Sequence, residues 1–278
     1  MSTVRIVVGV DGSPPASRAV DWALSWASAV GAPVTILASE AVPPGKTAES
    51  PGLGEKAQAV ISAELERLGG AAPDVDVEAK AIVAHPVTAL LGASAEAGAL
   101  VVGTRGAGAL QGTVIGSISG AVAASAQCPT VVLSPHTGAE FDAQGPIVVG
   151  FDGGEPSLGA ARLAISAAQA EGRAVRLLHA RVSEDPEETG ALDASVDRLR
   201  TESPDVPIEL VTSEESAVDA LTAASHEAAF VVLASQGHRG VPRFLLGSTT
   251  RALVQSSHAP VIVLTARSME RPWPAAQR

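Results

Sequence analysis

The chain has 278 residues, of which 46% are hydrophobic, and carries a formal net charge of −11. This length suits two domains of ordinary size, and no apolar run approaches the roughly 20 residues that span a bilayer. The acidic charge argues against a broad contact with nucleic acid or anionic lipid, because both require a basic surface. We therefore expect neither a nucleic-acid nor a membrane partner.

The first residues and the cysteine count indicate the compartment. The N-terminus lacks a charged region followed by an apolar stretch and a cleavage site, so we expect a cytoplasmic protein. Cys128 is the single cysteine, which precludes an internal disulfide or a cluster of thiolate metal ligands. Its setting before Pro129 predicts a small buried side chain ahead of a strand.

An internal repeat divides the chain into two copies. The segment 7–12 (Val-Val-Gly-Val-Asp-Gly) recurs at 148–153 as Val-Val-Gly-Phe-Asp-Gly, an offset of 141. The segment 129–133 (Pro-Thr-Val-Val-Leu) recurs at 260–264 as Pro-Val-Ile-Val-Leu, an offset of 131. A net deletion of about ten residues within the second copy explains both offsets, and the repeat is far longer than that of a solenoid. We predict domains at 1–136 and 146–267, a linker at 137–145 and a tail at 268–278.

Short apolar runs alternate with helical patterns in each copy, which is typical of βαβ units and a buried parallel sheet. In chain order, strands of the first copy are predicted at 5–10, 33–39, 75–83, 100–103 and 130–133. Strands of the second copy are predicted to begin near Ile147, Ala174, Ile208, Phe230 and Val261.

The first predicted helix has a start signal and an apolar face. Ser13 is a typical N-cap, Pro14 fits the first helical turn, and Ala19, Ala23 and Trp26 recur at helical spacing. Right-handed crossovers between the strands then give an open sheet. We predict an α/β fold with two tandem Rossmann-like, doubly wound domains, each with a five-stranded, mainly parallel sheet flanked by helices. If strands one and four are neighbours, the loops after Gly9 and Gly103 face each other across one crevice.

A glycine pattern follows the fourth strand. Gly103, Gly106, Gly116 and Ser117 form Gly-x2-Gly-x9-Gly-Ser between a strand and a helix. Glycines permit close backbone approach to a ligand, and the amides and serine hydroxyl at the helix start converge where the helix dipole favours an anion. The pattern predicts a phosphate site. The alternative, that the glycines only serve loop geometry, is weakened by the duplication.

This pattern resembles the motif of the ATP-binding branch of the universal stress protein family. The resemblance includes the Val-Gly-Val-Asp-Gly-Ser opening at 8–13 and the Cys-Pro-Thr-Val-Val-Leu close at 128–133, and it covers essentially the whole chain twice. It implies an ATP ligand, with Mg²⁺ accompanying the phosphates and no structural metal. It also implies that the two halves pair through their last strands as an intramolecular pseudo-dimer, and it leaves open a homodimer of whole chains.

The candidate ligand-binding residues come from both copies. In the first copy they are Gly9, Val10, Asp11, Gly12, Ser39, Gly103, Arg105, Gly106, Gly108, Gly116, Ser117, Ile118 and Ser119. In the second copy they are Gly150, Phe151, Asp152, Gly153, Ala180, Ala234, Gly237, Gly247, Ser248, Thr249 and Thr250. Because Ala234 stands where the motif has its first glycine, we predict that the first site binds more tightly than the second.

The two aspartates also have a local interpretation. As carboxylates at strand ends, Asp11 and Asp152 can accept hydrogen bonds from ribose hydroxyls or an adenine amine. The alternative is an Asx-turn, because Asp-Gly-Ser is a common turn sequence. Arg105 in the first copy can meet a phosphate through its guanidinium group, and a solvated side chain is the alternative.

Other motifs are interpreted as incidental. Gly45-Lys46-Thr47 resembles the end of a P-loop, but Glu40 stands where that motif requires its first glycine. The six histidines are scattered in sequence, with no close pair at metal-ligand spacing, and are expected at the surface or at strand ends. No Gly-x-Ser-x-Gly elbow supports a hydrolase triad.

Three classes of function remain open from the sequence. The first is an ATP-binding regulatory or sensing protein of the stress response, with no catalytic residue and at most slow ATP hydrolysis. The second is an enzyme with the same adenosine pocket, either a slow ATPase or an adenylate-transferring enzyme. The third is a nucleotide-free interaction module, which the intact glycine pattern of the first copy argues against.

Overall fold

The computed structural model describes residues 4–70, 74–104, 116–138, 144–180, 186–236, 246–271 and 273. Strands and helices alternate through the first half of the chain. They are β1 (Ile6–Val10), α1 (Pro14–Val30), β2 (Val34–Glu40), α2 (Glu55–Leu68), β3 (Val77–Val83), α3 (Pro86–Ser94), β4 (Ala99–Gly103), α4 (Ser117–Ser125) and β5 (Thr130–Leu133).

The second half repeats this order. Its elements are β6 (Ile147–Gly150), α5 (Glu155–Glu171), β7 (Val175–Ala180), α6 (Pro186–Glu202), β8 (Ile208–Ser213), α7 (Ala217–Ala224), β9 (Phe230–Ala234), α8 (Ser248–Ser256) and β10 (Val261–Leu264). A short 3-10 helix, Ser268–Glu270, follows β10.

The ten strands form one sheet in the order β3-β2-β1-β4-β5-β10-β9-β6-β7-β8. Neighbouring strands are parallel within each half, whereas β5 and β10 are antiparallel at the junction of the halves. Helices α1, α2, α5 and α6 cover one face, and α3, α4, α7 and α8 cover the other. This architecture confirms the predicted α/β fold with two tandem Rossmann-like halves.

Helix α1 has the local signals that the sequence predicts. The Ser13 hydroxyl accepts a hydrogen bond from the Ala16 amide, and Pro14 occupies the first turn. Gly31 ends the helix in the left-handed region, with φ of 67°, a conformation that glycine adopts without steric cost. The face containing Ala19 and Trp26 is fully buried against the sheet.

One hydrogen bond between the halves lies at each end of the β5–β10 ladder. The Ser134 hydroxyl donates to the Ser257 carbonyl over 2.5 Å. At the opposite end, the Thr265 hydroxyl donates to the Ala126 carbonyl over 2.7 Å. The pairing also removes two apolar strands from the sheet edge, where unpaired backbone groups promote aggregation.

All three tryptophans lie in one aromatic cluster that spans the two halves. Trp22 and Trp26 project from α1, and the Trp26 ring centroid lies 4.9 Å from that of Trp273. Phe230, at the start of β9, packs edge-on against Trp26 and Trp273, with centroid distances of 6.4 and 5.7 Å. The core on this face is therefore continuous across the junction.

The C-terminal residues that the sequence assigns to a tail pack against this core. Ser268 is fully buried, and its hydroxyl accepts a hydrogen bond from the Thr265 amide. Trp273 is 6% exposed, because its ring fills the space between the two halves. The Arg271 guanidinium also donates to the Ala95 carbonyl of the first half. The described part of 268–278 therefore belongs to the folded body.

Two further findings concern the Cys128 side chain and the apolarity of the helices. Cys128 is buried, as its sequence setting predicts, and burial raises the pKa of its thiol to about 12, which leaves it protonated at neutral pH. Within the described residues, no helix combines the length and apolarity needed to cross a bilayer.

Candidate functional site

Each half has a crevice where the direction of strand order changes. In the first half β1 lies between β2 and β4, which meets the condition on which the sequence placed one crevice there. The helices that follow β1 and β4 cover opposite faces of the sheet. The carboxyl ends of β1 and β4 therefore open into one crevice, the usual ligand position in such sheets. Strands β6 and β9 repeat this arrangement. Because β5 and β10 are antiparallel, the strands of the two halves point in opposite directions. The two crevices therefore open at opposite ends of the strands.

The start of α4 is held against the end of β4. The Gly116 amide donates to the Thr104 carbonyl over 2.8 Å, so the chain returns to the strand that it left. Among the described residues no side chain caps α4, and Ser117 at its first position is exposed. The first amides of a helix have no partner within it, and the helix dipole makes this end attractive to anions. Arg105, Gly106 and Gly108 lie outside the described residues.

Ser119 and Gly103, both predicted to contact the ligand, have structural roles here. Ser119 is 5% exposed, and its hydroxyl lies 3.2 Å from the Thr104 carbonyl, to which it donates. At Gly103 a Cβ atom would lie 2.8 Å from the Pro15 carbonyl oxygen. Its φ is not positive. Glycine is therefore required at 103 because β4 approaches α1 closely, a reason that the sequence pattern did not supply.

The polar groups beside β4 come from the neighbouring strands. Asp11, which follows β1, is exposed, and its Oδ1 accepts a hydrogen bond from the Ser13 amide over 3.1 Å. This is the Asx-turn that the sequence offered as the alternative to a ligand contact, and Gly12 within it has φ of 80°. Ser39 is half-buried near the end of β2, while the Val10 side chain lies in the core. Only the backbone of Val10 can therefore face the crevice.

Packing accounts for Gly9 and Gly150. A Cβ atom at Gly9 would lie 3.0 Å from a methyl group of Leu90 on α3. At Gly150 it would lie 2.5 Å from a methyl group of Leu233. Both glycines therefore let side chains pack closely on the strand that borders the crevice.

The second half engages its aspartate more fully. Asp152 Oδ1 accepts hydrogen bonds from the Gly154 amide and the Ser157 hydroxyl, over 3.0 and 2.7 Å. At the offset of 141, Ala16 occupies the position of Ser157 in the first half, and its methyl group cannot donate. The carboxylate of Asp152 is therefore fixed by a side chain that Asp11 lacks.

A histidine side chain contacts the backbone at the crevice of the second half. His179 Nδ1 lies 2.9 Å from the Phe151 carbonyl oxygen, the group equivalent to the Val10 carbonyl. Ala38 is the first-half counterpart of His179 and cannot make this contact. Neither His179 nor Ser157 is among the predicted site residues, although the two copies differ visibly at both positions, with Ala38 and Ala16 in the first copy.

The start of α8 repeats that of α4. The Gly247 amide donates to the Ser235 carbonyl over 2.9 Å, and no side chain in the described part of the chain caps the helix. Ser248 is exposed, whereas Thr250 is buried and its hydroxyl donates to the Ala234 carbonyl. Gly153 has φ of 74° in the turn after β6. Two other predicted positions of this half are described: Ala180 is half-buried at the end of β7, and Thr249 lies in the first turn of α8. Gly237 lies outside the described residues.

Three of the histidines, although scattered in sequence, lie close together. His226 and His258 stack with ring centroids 3.7 Å apart, and His136 lies 5.2 Å from His258. Residues far apart in the chain meet here because β5 and β10 pair. In the part of the chain that the structure describes, no group of three or more histidine, cysteine or acidic side chains is arranged to hold a metal ion.

The comparison with known sequences decides the family. The sequence profile of the Universal stress protein family matches residues 3–134 and 145–265. The chain belongs to the universal stress protein family. Two universal stress proteins of Mycobacterium tuberculosis are 29% and 27% identical to it over 282 and 286 residues. The alignments cover 93% and 94% of this chain and 96% of each relative.

Solved structures agree with this assignment at the level of the fold. The crystal structure of a universal stress protein from Archaeoglobus fulgidus superposes with a TM-score of 0.68 at 18% identity. The superposition covers 95% of this chain and 99% of that chain. The tandem arrangement of two universal stress protein units in one chain therefore occurs in a solved member of the family.

Proposed function

We propose that this universal stress protein binds ATP in the crevice of its first half and, more weakly, in that of its second half. The observation that carries the proposal is the start of α4, which no side chain of the described residues caps and which is held against the end of β4. A helix start at this position offers backbone amides to an anion without requiring a basic surface. This suits a chain whose net charge is −11.

The chemistry of the donor groups fits a nucleotide. The amides of Ser117 and Ile118, together with the exposed Ser117 hydroxyl, would hold phosphate oxygens at the start of α4. Asp11 and the backbone of Val10 would contact adenosine at the end of β1, with Ser39 beside them on β2. Mg²⁺ would accompany the phosphates. The ligand supplies the phosphate charge, and the protein contributes orientation through backbone groups.

We infer a regulatory role, in which ATP occupancy changes the conformation or the affinity for a partner. The side chains placed at the first crevice are engaged in turns or are hydroxyls, and Asp11 already accepts the Ser13 amide. Hydrolysis of ATP uses water as the nucleophile and requires a group that orients or deprotonates it, and none of the described crevice residues stands out for that role. A phosphate-release assay on the purified chain measures turnover directly, and rapid release would contradict the regulatory role.

We also propose that the two halves act as an intramolecular pseudo-dimer. The antiparallel pairing of β5 with β10 supports this, because it relates the halves by an approximate two-fold axis. The shared aromatic cluster adds apolar contact between the halves. Because the two crevices open at opposite ends of the strands, each nucleotide would be bound by one half alone.

A charge change at Ser117 tests the phosphate site. In the Ser117→Glu variant, a carboxylate at the first helical position favours α4 through the helix dipole but repels phosphates. We expect unchanged or slightly higher stability, together with a loss of ATP affinity of about tenfold or more by calorimetry. The neutral Ser117→Gln variant is the matched control and should bind far better than Ser117→Glu.

Two further measurements identify the ligand. Mass spectrometry of small molecules released from the denatured chain should detect adenine nucleotide. Adenosine, which has no phosphates, should bind wild type and Ser117→Glu equally. If Ser117→Glu binds ATP as wild type does, the phosphates do not lie at α4.

A further inference from the structure

A stack of three imidazole rings lies where the two halves meet. His136 follows β5 in the first half, whereas His226 follows α7 and His258 precedes β10 in the second half. The rings of His226 and His258 are nearly parallel, with an interplanar angle of 24°, and the His136 ring is tilted by 31° from that of His258. All three residues are exposed. We call these three side chains the histidine stack.

The histidine stack lies at one end of the β5–β10 ladder. The Ser134 hydroxyl donates to the Ser257 carbonyl, so His136 and His258 are each within two residues of this contact between the halves. The His258 amide donates to the Ser225 hydroxyl over 2.9 Å, which holds its backbone in place. The contact between the His136 and His258 rings therefore joins the two halves directly.

The geometry suits neutral rings better than a metal ion. Imidazole lone pairs lie in the ring plane, so nearly parallel stacked rings cannot direct their nitrogens at one ion. Neutral rings stack favourably, whereas two protonated rings this close repel each other. The proton occupancy of the rings is therefore the variable that changes this contact.

Desolvation within the stack, followed by the charges of His226 and then His136, lowers the pKa of His258 below its usual value. The unfolded chain consequently binds this proton more tightly than the folded chain. The stabilising contribution of the neutral stack is fully present above the ordinary histidine pKa of about 6.5 and is lost as the pH falls below that value.

Two charged residues adjoin the stack. Arg18 on α1 donates to the Pro135 carbonyl beside His136 and adds to the repulsion when the rings are protonated. Glu227 follows His226 and opposes that repulsion. Its carboxylate is 79% exposed and lies 3.9 Å from Arg176 on β7, so solvent and this cation reduce its effect.

We propose that the histidine stack is an acid-sensitive contact that stabilises one end of the junction between the two halves. Above the histidine titration range, the neutral rings hold His136 of the first half against His258 of the second. On acidification, repulsion within the stack separates these rings and loosens the ladder from the Ser134–Ser257 end.

The opposite end of the ladder provides an internal comparison. At the offset of 131, the counterparts of His226, His258 and His136 are Ala95, Gln127 and Arg267, of which none titrates in this range. The hydrogen bond from Thr265 to Ala126 lies at that end. Acid should therefore loosen one end of the junction and leave the other unchanged.

Backbone hydrogen exchange in the full chain tests whether the histidine stack makes this end of the junction sensitive to acid. Amides of 131–134 and 257–261 are compared with those of 126–130 and 263–265 at about pH 7.5 and about pH 5.5, after correction for intrinsic rates. In wild type, protection at the histidine end should fall about threefold to tenfold in acid, because one pKa unit corresponds to tenfold. The other end should keep its protection.

The His258→Gln variant introduces the residue that the first half has at the equivalent position. Because His258 is exposed, the variant should fold and keep its protection unchanged between the two pH values. An equal loss at both ends in wild type, or a loss that persists in His258→Gln, would overturn the proposal.

Titration of the ring protons by NMR provides a second, independent readout. The His258 pKa should lie below that of an ordinary histidine and should rise in His226→Ala, where the stacked neighbour is removed. An ordinary pKa in wild type, or one that does not respond to His226→Ala, would show that the rings do not interact in solution and would also overturn the proposal.

Discussion

The Nδ1 atom of His179 lies 2.9 Å from the carbonyl oxygen of Phe151. This contact joins the end of β7 to the residue that follows β6, at the crevice of the second half. The first half has Ala38 at the position of His179, so the two crevices differ in a backbone group that adjoins the proposed adenosine position. The difference between the sites thus extends beyond the glycine pattern.

Removal of this imidazole should improve the second site. In His179→Ala, the Phe151 carbonyl is released for a ligand, and ATP affinity of the weaker phase should rise about threefold to tenfold, equivalent to one modest hydrogen bond. Calorimetric titration measures both phases. His85→Gln, a change on the other half, is the control, and a change confined to the tighter phase would contradict the assignment.

The ranking of the two sites is tested by removing each aspartate. Asp11→Ala should abolish the tighter phase of ATP binding and Asp152→Ala the weaker one, because each carboxylate lies at its own crevice. Asp152 is held by Ser157 as well as by a backbone amide, so less of its accepting capacity is available to ribose. Two identical phases in wild type would show that the sites are equal.

Equivalent glycines of the two motifs should differ in their tolerance of alanine. A Cβ atom at Gly116 would lie 2.7 Å from the Thr104 carbonyl oxygen, whereas at Gly247 the nearest atom, the Ser235 carbonyl oxygen, is 3.6 Å away. We expect Gly116→Ala to lower the free energy of unfolding by about 1–3 kcal/mol more than Gly247→Ala. Urea unfolding measures the difference, and equal losses would contradict the close contact at Gly116.

The C-terminal aromatic residue should stabilise the whole chain. Trp273→Ala leaves a cavity against Trp26 and Phe230 and should cost about 3–5 kcal/mol in the free energy of unfolding. Trp273→Phe should cost less, because the indole nitrogen of Trp273 has no hydrogen-bond partner within the described residues. Leu65→Ala, at an exposed position, should change stability by about 0.5 kcal/mol or less. A similarly small effect of Trp273→Ala would contradict its role in the core.

The halves should remain associated after the chain between them is cut. A protease site inserted between residues 138 and 144 allows cleavage of the folded protein, and the two fragments should elute together on gel filtration. The β5–β10 ladder and the shared aromatic cluster provide the contact. Elution of two separate monomeric halves would show that the junction needs the covalent link and would contradict the pseudo-dimer.

The sequence was sufficient for the strands, because all ten were predicted from short runs rich in apolar residues. The crevice between β1 and β4 was predicted on the condition that these strands are neighbours, and the structure supplies that pairing. The roles within the crevice were less predictable. Ser119 is one of the predicted ligand-binding residues, yet its hydroxyl donates to the carbonyl of Thr104, a residue 15 positions away that no local pattern connects with it.

The repeat and the glycine pattern with its helix start were determined by the sequence alone, because each is encoded locally or in the comparison of two copies. The tertiary structure decided which distant groups meet. Pairing of β5 with β10 brings His136 to His258, and packing of the C-terminal segment buries Trp273 against Trp26. Such contacts depend on the antiparallel register of two strands about 130 residues apart, and hydrophobic periodicity within either strand carries no information about its partner.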